Sequence, residues 1–395
     1  YVCQDCYSGD HKFACKACCL SMHSMNPFHR IKKWNGRYQE SATLWDLGLI
    51  VQLSHSPGKP CSAPALAPRN FVVLHTNGFH RVHLQFCNCD HKHIAGSRVQ
   101  QLLRYELYGA TTTDPTTCCT LRLLEHFHIL TLQSKVNAYD YYLSLQKMTD
   151  NTGLSQRMDR LKVFLRTVRE FRHLKRLKRS GRGHEPGGVA ATRMGELCVR
   201  CPACPRPGFN LPDNWESISD DLRFIYTMFT AIDANFRLKH RAISNKSRDP
   251  ALVSGLGYFV EDTAYRQHLA KYVDQAELST CTGLNALLQA NKKFSKGYAT
   301  MGVGLVCCAR HGFVLPNGVG DLQKGERYCN MDYVYFSALT HIPKCVEKMN
   351  SYDISCQWTV HLLDRAKEFP EHLQVNLPFG EIRYAIPKYH FRAHK

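Results

Sequence analysis

The spacing of cysteine and histidine at the N-terminal end constrains this chain most. Cys3 and Cys6, then Cys15 and Cys18, form two C-x2-C pairs, and His23 and His29 follow. Two thiolates at that spacing reach one ion, and thiolate and imidazole donors suit tetrahedral zinc. Six donors make one and a half sites. The missing pair is expected before Tyr1, in a cross-braced module of B-box type, or Cys19 or His11 fills in. The chain has nineteen cysteines in 395 residues. That is no small disulfide scaffold, and the pairing near histidine points to zinc in a reducing compartment. The plain alternative, reduced thiols beside surface histidines, is disfavoured by the double pairing.

Further cysteines follow. Across 70–89, NFVVLHTNGFHRVHLQFCNC, two β-rich runs flank Asn77-Gly78, so a hairpin is expected to turn there. The run ends on Cys87, Cys89, His91 and His93, with Cys61 upstream. This reads as a second metal site or as a chance cluster. Cys198, Cys201 and Cys204, with His184 upstream, read as three ligands of a zinc knuckle or as a rigid loop built by the interleaved prolines. Cys308 and His311 make a C-x2-H pair.

Charge adds a partner. Lys+Arg exceed Asp+Glu by 51 − 33 = 18, which favours a polyanion such as nucleic acid. Half of that surplus lies in 155–182, with eleven basic residues against two acids. There Leu161, Phe164, Leu165, Val168, Phe171 and Leu174 fall on one helical stripe. Arg169, Arg172, Lys175 and Arg176 would present the cationic face to phosphates. A solvated charged face and a nuclear-localisation signal are the alternatives. Segments 97–108 and 121–148 read as core helices, 180–195 as a linker, and 212–221 as a capped helix entry. No run of 18 apolar residues occurs, so no membrane span is expected.

Two apolar stretches, 226–241 and 349–358, each enclose a lone carboxylate, Asp233 and Asp353. A carboxylate in an apolar strand is costly unless paired, and two of them suggest a shared cation of the Mg2+ kind. Turn-capping at strand ends is the alternative. A helix over 258–273, a strand over 298–308 and helices over 324–339 and 357–369 complete an α/β pattern.

DANFRLKHR at 233–241, NGVGDLQKGERYCNMDY at 317–333, YDISCQW at 352–358 and PKYHFRAH at 387–394 occur in that order. Together they resemble the Kyakuja-Dileera-Zisupton (KDZ) transposases of fungal mobile elements, and the N-terminal half resembles the cysteine-cluster domain fused to them. The resemblance implies an RNase H-like core, a mixed sheet with flanking helices, incomplete at its C-terminus and preceded by a zinc-binding cysteine-cluster domain. The implied domains are a zinc module at 1–35, the rest of the cysteine cluster at 36–110, a helical basic connection at 111–195 and the transposase core at 196–395.

By motif matching Asp233 is the first catalytic acid and Asp353 the second, on two Mg2+ or Mn2+ ions, with zinc structural. In such a core, acids from two neighbouring strands and one helix converge on the metals. The third acid, a Glu on a helix after 387–394, is expected beyond Lys395, which would make this stretch alone a poor enzyme. Asp332 is a candidate support residue, and His390 and His394 either approach the site or are structural. Relatives carry C-x2-H at Cys281 and at Cys308; Leu284 replaces the first of those histidines, unless Cys307 compensates. The implied partner is DNA at transposon ends, in the nucleus, with homo-oligomerisation. The rival reading is an inactive, domesticated protein that keeps zinc modules and a basic surface, and the sequence after Lys395 would tell the two apart.

Overall fold

The computed structural model describes residues 1–7, 13–56, 59–154, 159–242, 250–272, 297–323, 325–374 and 382–388. The chain divides into two units, Tyr1–Lys175 and Arg176–Lys395.

In the first unit β1 (Val2–Cys3), β2 (Ile31–Trp34) and β3 (Gln39–Ala42) form an antiparallel sheet, with α1 (Lys16–Met22) between β1 and β2 in sequence. Cys19, Ile31, Leu44, Leu47 and Leu49 make its small core. A second sheet places β8 (His83–Cys87) between β4 (Ile50–Gln52) and β5 (Pro64–Leu66). A third has the order β7-β6-β10-β9, from β6 (Val72–His75), β7 (Gly78–Arg81), β9 (Leu107–Gly109) and β10 (Thr117–Thr120).

The expected hairpin forms, but one residue early. His75 pairs with Gly78, so Thr76-Asn77 is the loop, and Gly78 opens β7 at φ +135. Asn77 is held there by its side chain, which donates to Phe28 O at 2.9 Å and to Asp5 at 3.2 Å.

After the short α2 (Lys92–Ala95), α3 (Arg98–Arg104) starts in a capping box made by Ser97 and Gln100, a reciprocal pairing that satisfies two orphan amides. The expected helix over 121–148 is two helices, α4 (Leu121–Gln133) and α5 (Ala138–Thr149), because Asn137 caps a new start. The basic helix α6 runs Leu161–Arg179; residues 155–158 lie outside the described ones. Its buried stripe is Phe164, Thr167, Val168 and Phe171, whereas Leu165 and Leu174 are exposed. Phe164, Val168 and Phe171 follow the expected spacing, Leu161 is half-buried, Leu177 is buried further along, and Leu165 and Leu174 lie with the exposed basic residues.

The second unit is built on a five-stranded mixed sheet, order β15-β14-β11-β16-β17. Its strands are β11 (Met228–Asn235), β14 (Gly302–Cys308), β15 (Val314–Leu322), β16 (Lys348–Ser351) and β17 (Ile382–Ala385); a separate ribbon pairs β12 (His240–Arg241) with β13 (Tyr298–Thr300). β15, β14 and β11 are antiparallel neighbours, and β11, β16 and β17 run parallel. β15 and β17 were not anticipated. β15 is interrupted by Pro316 and three glycine or asparagine positions, a composition that reads as loop.

Along β11 the pleat alternates. Met228, Thr230 and Ile232 are buried; Phe229 and Ala231 are half-buried and Asp233 is exposed. The helix Tyr328–Leu339 lies on the buried face and is itself buried from Cys329 to Leu339. Gly304 and Gly320 are paired across β14 and β15, and they let the helix approach. A Cβ on Gly304 would meet Met331 Sδ at 2.6 Å, and one on Gly320 would meet Val334 Cγ2 at 2.5 Å.

The 317–333 motif also supplies structure. Asn317, at φ +48, is buried and donates to the carbonyls of Gly255 (2.7 Å), Gly257 (3.1 Å) and Phe259 (2.8 Å). His341 completes the arrangement by donating to Asn317 Oδ1 at 2.8 Å. Upstream, 212–221 enters two 3-10 turns, Trp215–Ser217 and Asp220–Tyr226, rather than an α-helix. The helix expected over 258–273 is α7 (Asp262–Ala270), and that expected over 357–369 is two short helices, Ser355–Trp358 and Leu362–Lys367.

Candidate active site and metal centres

Asp233 is the sixth residue of β11, and Asp353 lies two residues beyond the end of β16, in the turn before Ser355–Trp358. Asp353 is therefore not inside the strand. The pairing of the strands is what relates the two acids. Met228 pairs with Lys348, Phe229 with Met349, Thr230 with Asn350 and Ala231 with Ser351. The offset is 348 − 228 = 120 throughout, and 353 − 233 is also 120. The pairing of β11 with β16 ends at Ala231 and Ser351, so each acid follows the last residue of its own strand in that pairing by two positions, in the middle of the sheet rather than at its edge.

Asp233 Oδ1 accepts from Ala234 N at 2.7 Å. The Cys307 thiol shares its face of the sheet, and its proton affinity is raised by burial, then by Cys308 and by the Asp233 charge. Asp353 is half-buried beside Tyr352, whose hydroxyl points the other way and donates to Glu326 at 2.6 Å.

Asp332 does not join this pair. It is fully buried, bonded to Trp358 Nε1 and to Arg365 at 2.5 Å. Burial raises its proton affinity, against the pull of Arg365. The NMDY carboxylate is thus a buried packing residue. His390, His394, Cys281, Leu284 and Glu381 lie outside the described residues.

Among the described residues three clusters of four donors assemble, each with its donor atoms within 4.8 Å of one another. A tetrahedral zinc ion with Zn–S ~2.3 Å and Zn–N ~2.0–2.1 Å sets sulfur and nitrogen ~3.6 Å apart.

The first cluster is Cys3, Cys6, His23 and His29. His29 Nδ1 is 3.5 Å from Cys3 Sγ and 3.2 Å from Cys6 Sγ; His23 Nε2 is 3.5 Å from Cys6 Sγ. His23 Nδ1 donates to Cys19 O at 2.7 Å, which fixes the ring and frees Nε2 for the ion. The Asp5 and Cys6 amides point at Cys3 Sγ. Asp5 then ties the knuckle down through Arg30 at 2.7 Å. Burial pushes the Asp5 carboxyl up, but the Arg30 side chain and amide outweigh it and hold it below its ordinary range. Cys15 and Cys18 are not in this group. They are exposed at the N-terminus of α1, with Cys18 N donating to Cys15 Sγ. The first and third donor pairs therefore converge on one point and enclose the second pair in sequence.

The second cluster is His55, Cys61, Cys87 and Cys89. His55 carried no spacing signal. It is delivered because β4 and β5 flank β8: Gln52 pairs with Gln85 and Pro64 with Cys87, so the chain leaving β4 and the chain entering β5 both arrive beside Cys87. Cys87 and Cys89 sulfurs are 3.5 Å apart, and His55 Nε2 is 3.7 Å from Cys89 Sγ. Burial pushes the Cys61 thiol up, but the amides of Asn88, Ala63 and Cys89 and the Cys89 thiol hold it down to about 6. Gln101 clamps the Cys87 backbone from both sides. His91 packs near the His55 ring and His93 bonds Asp90 O; neither is among the four donors.

The third cluster is Cys201, Cys204, Cys308 and His311. It joins two sets of residues that read separately in the sequence. Cys198 stays outside, half-buried, its thiol pushed up to about 11 by burial.

On α6, Arg169, Arg172, Lys178 and Arg179 are exposed. Arg172 donates to Thr131 at 2.8 Å and Lys175 bonds Glu125 at 2.7 Å. Arg176 is half-buried.

Comparison with known proteins gives two matches. Residues 44–153 match the family described as CxC2 like cysteine cluster associated with KDZ transposases. Residues 226–395 match the Kyakuja-Dileera-Zisupton transposase family. No curated protein and no solved structure matches. Among the described residues no helix is long and apolar enough to cross a membrane.

Proposed function

We propose that this member of the Kyakuja-Dileera-Zisupton transposase family cuts and joins DNA strands at the ends of its element, with Asp233 and Asp353 as the acids that hold the catalytic ions. The observation that carries this reading is that the two carboxylates each stand two residues past Ala231 and Ser351, the last residues paired between adjacent parallel strands. The strand order, three antiparallel strands followed by two parallel ones, is what an RNase H-like core requires and supports the same reading.

Two carboxylates at strand ends are an oxygen donor set suited to Mg2+ or Mn2+. Such ions, when bound, activate the attacking water or 3′-hydroxyl and stabilise the leaving oxygen. Asp233, exposed at its strand end, faces solvent and DNA; Asp353, half-buried, is the better fixed of the two. β17 runs beside β16 with Ser351 opposite Ala385, so the chain leaving β17 heads for the level of the acids. A third carboxylate from the following helix would complete the set.

The zinc clusters of the first unit scaffold that unit. The exposed cations of α6, Arg169, Lys178 and Arg179 foremost, contact DNA phosphates, while Lys175 is engaged by Glu125. The protein acts in the nucleus, as an oligomer that brings two ends together.

The test is Mn2+ binding followed by paramagnetic resonance, alongside Mg2+-dependent cleavage of duplexes carrying the element's ends. Asp233→Asn and Asp353→Asn should each abolish both signals. Cleavage that survives either substitution removes the assignment. Binding of end duplexes with neither Mn2+ binding nor cleavage in the unaltered protein would leave a DNA-binding protein without chemistry.

A further inference from the structure

Cys201 and Cys204 fall in the stretch between the two family matches, and Cys308 and His311 fall inside the second. We propose that these four residues hold one structural zinc ion, and that this ion makes the stretch from Cys198 to Leu211 part of the transposase domain. The domain name rests on the family reading; the metal site does not.

The donor distances suit an ion. His311 Nδ1 is 3.4 Å from Cys201 Sγ and 3.5 Å from Cys308 Sγ, against ~3.6 Å for the edge of a zinc tetrahedron. A simple thiol–imidazole hydrogen bond would pair one sulfur with one nitrogen. Here a single nitrogen faces two sulfurs from distant parts of the chain, and a third sulfur lies within 4.8 Å of all three. Cys201, Cys204 and Cys308 are 4%, 9% and 1% exposed. Three buried sulfurs and one imidazole fill four corners and leave no open position, which is the form of a structural site.

Both halves are shaped in advance. Asn210 donates to Pro202 O at 2.9 Å and to Cys204 O at 2.8 Å, and accepts from Arg206 N at 2.8 Å. That holds the CPAC loop with the Ala203 and Cys204 amides at Cys201 Sγ. On the other half, Gly312, at φ +68, donates to Cys308 O at 2.8 Å, and Cys308 donates to Phe313 O at 2.7 Å. This tight turn folds His311 back over Cys308.

The turn is also tied to the chain entering β11. Ala309 N donates to Phe229 O at 2.9 Å, the Arg310 guanidinium lies 4.1 Å over the Phe229 ring, and Arg310 bonds the carbonyls of Phe224 and Ile225. Cys308 itself pairs with Thr230. The ion would therefore fasten the CPAC loop to the end of β14, whose neighbour β11 carries Asp233.

The experiment is elemental analysis of the full chain. Cys201→Ser and Cys308→Ser should each lose one zinc per chain, while Cys198→Ser and Cys307→Ser lose none. His311→Cys covers the case in which the serine variants fail to fold: it should keep the ion and add one thiolate's share to the sulfur-to-cobalt absorption after Co2+ exchange. Trypsin should cut after Arg200 faster in Cys201→Ser than in Cys198→Ser. Unchanged zinc in Cys201→Ser and Cys308→Ser, or an unchanged cobalt spectrum in His311→Cys, would overturn the proposal. Because the metal count does not depend on DNA cleavage, its failure and that of the catalytic reading are separable.

Discussion

The first and third clusters use similar donors at very different reach. Cys3 and His29 are 26 residues apart, and Cys201 and His311 are 110 apart. The near cluster sits on a core of only five buried apolar residues, Cys19, Ile31, Leu44, Leu47 and Leu49. The far one sits at the rim of a core that includes Ile232, Val306, Leu322, Met331, Val334, Tyr352 and Trp358. A structural zinc ion contributes roughly 10–16 kcal/mol of apparent binding energy. In the near cluster that energy would be folding energy, because among the described residues the apolar core beneath it is small. In the far cluster it fastens a loop to a body that already has its own core.

Metal removal should expose this contrast most strongly. A chelator is expected to abolish hydrogen-exchange protection at the Cys19 and His23 amides, while amides of β11 and β14 keep theirs. Retained protection at Cys19 and His23 without metal would erase the distinction.

Next in size is a change that should hurt only the second unit. Arg365→Leu leaves Asp332 buried without its cation, and breaking such a pair costs roughly 3–5 kcal/mol. The pH dependence has a definite sign. Burial raises the folded-state proton affinity of Asp332, so the folded state binds the proton more tightly than the unfolded one. Stability is then fully present at acid pH and falls as pH rises through the folded value. The variant should melt closest to the parent at acid pH and furthest from it near neutrality, with zinc content unchanged. A pH-independent deficit would mean that Asp332 is not the group left stranded.

Smaller effects should come from the helix–sheet seam. Gly320→Ala meets Val334, a stiff β-branched side chain, and overpacking of that kind costs about 1–3 kcal/mol. Gly304→Ala meets the flexible end of Met331 and should cost less. Equal melting points for the two would show that the strand, rather than the side chain, yields. The smallest change expected is Lys175→Ala in the first unit. Its bond to Glu125 is solvent-exposed, and such pairs contribute up to about 1 kcal/mol.

The same contrast explains what the sequence could reveal. The near cluster was legible because its donors lie in one short stretch; only their partition was not, since spacing cannot say that His23 and His29 join Cys3 and Cys6 instead of Cys15 and Cys18. His55 was invisible because no motif links it to Cys61, and only the placing of β8 between β4 and β5 brings it in. The far cluster showed as two unrelated fragments because a sheet has to form before they meet. The 317–333 motif was long enough to suggest a family, yet Asn317 and Asp332 turn out to bond carbonyls and an arginine within the core. Asp233 and Asp353 could be picked out by their apolar surroundings, but their common level required the strand pairing.

That pairing also sets what can change between the acids. Main-chain bonds fix Ser351 against Ala231, two residues before each acid, so the loops of the intervening chain can vary in length as long as β14, β15 and the buried helix keep their places. Lengthening a flexible excursion costs only ~0.6 kcal/mol for each doubling, so loops between β11 and β16 can be extended at small cost. Within β16 the tolerance is nil. One residue inserted or deleted there would turn Ser351 to the opposite side of the pleat and shift the turn that carries Asp353. The length of those loops is therefore free to vary, whereas the count from Lys348 to Ser351 is held by the pairing with β11.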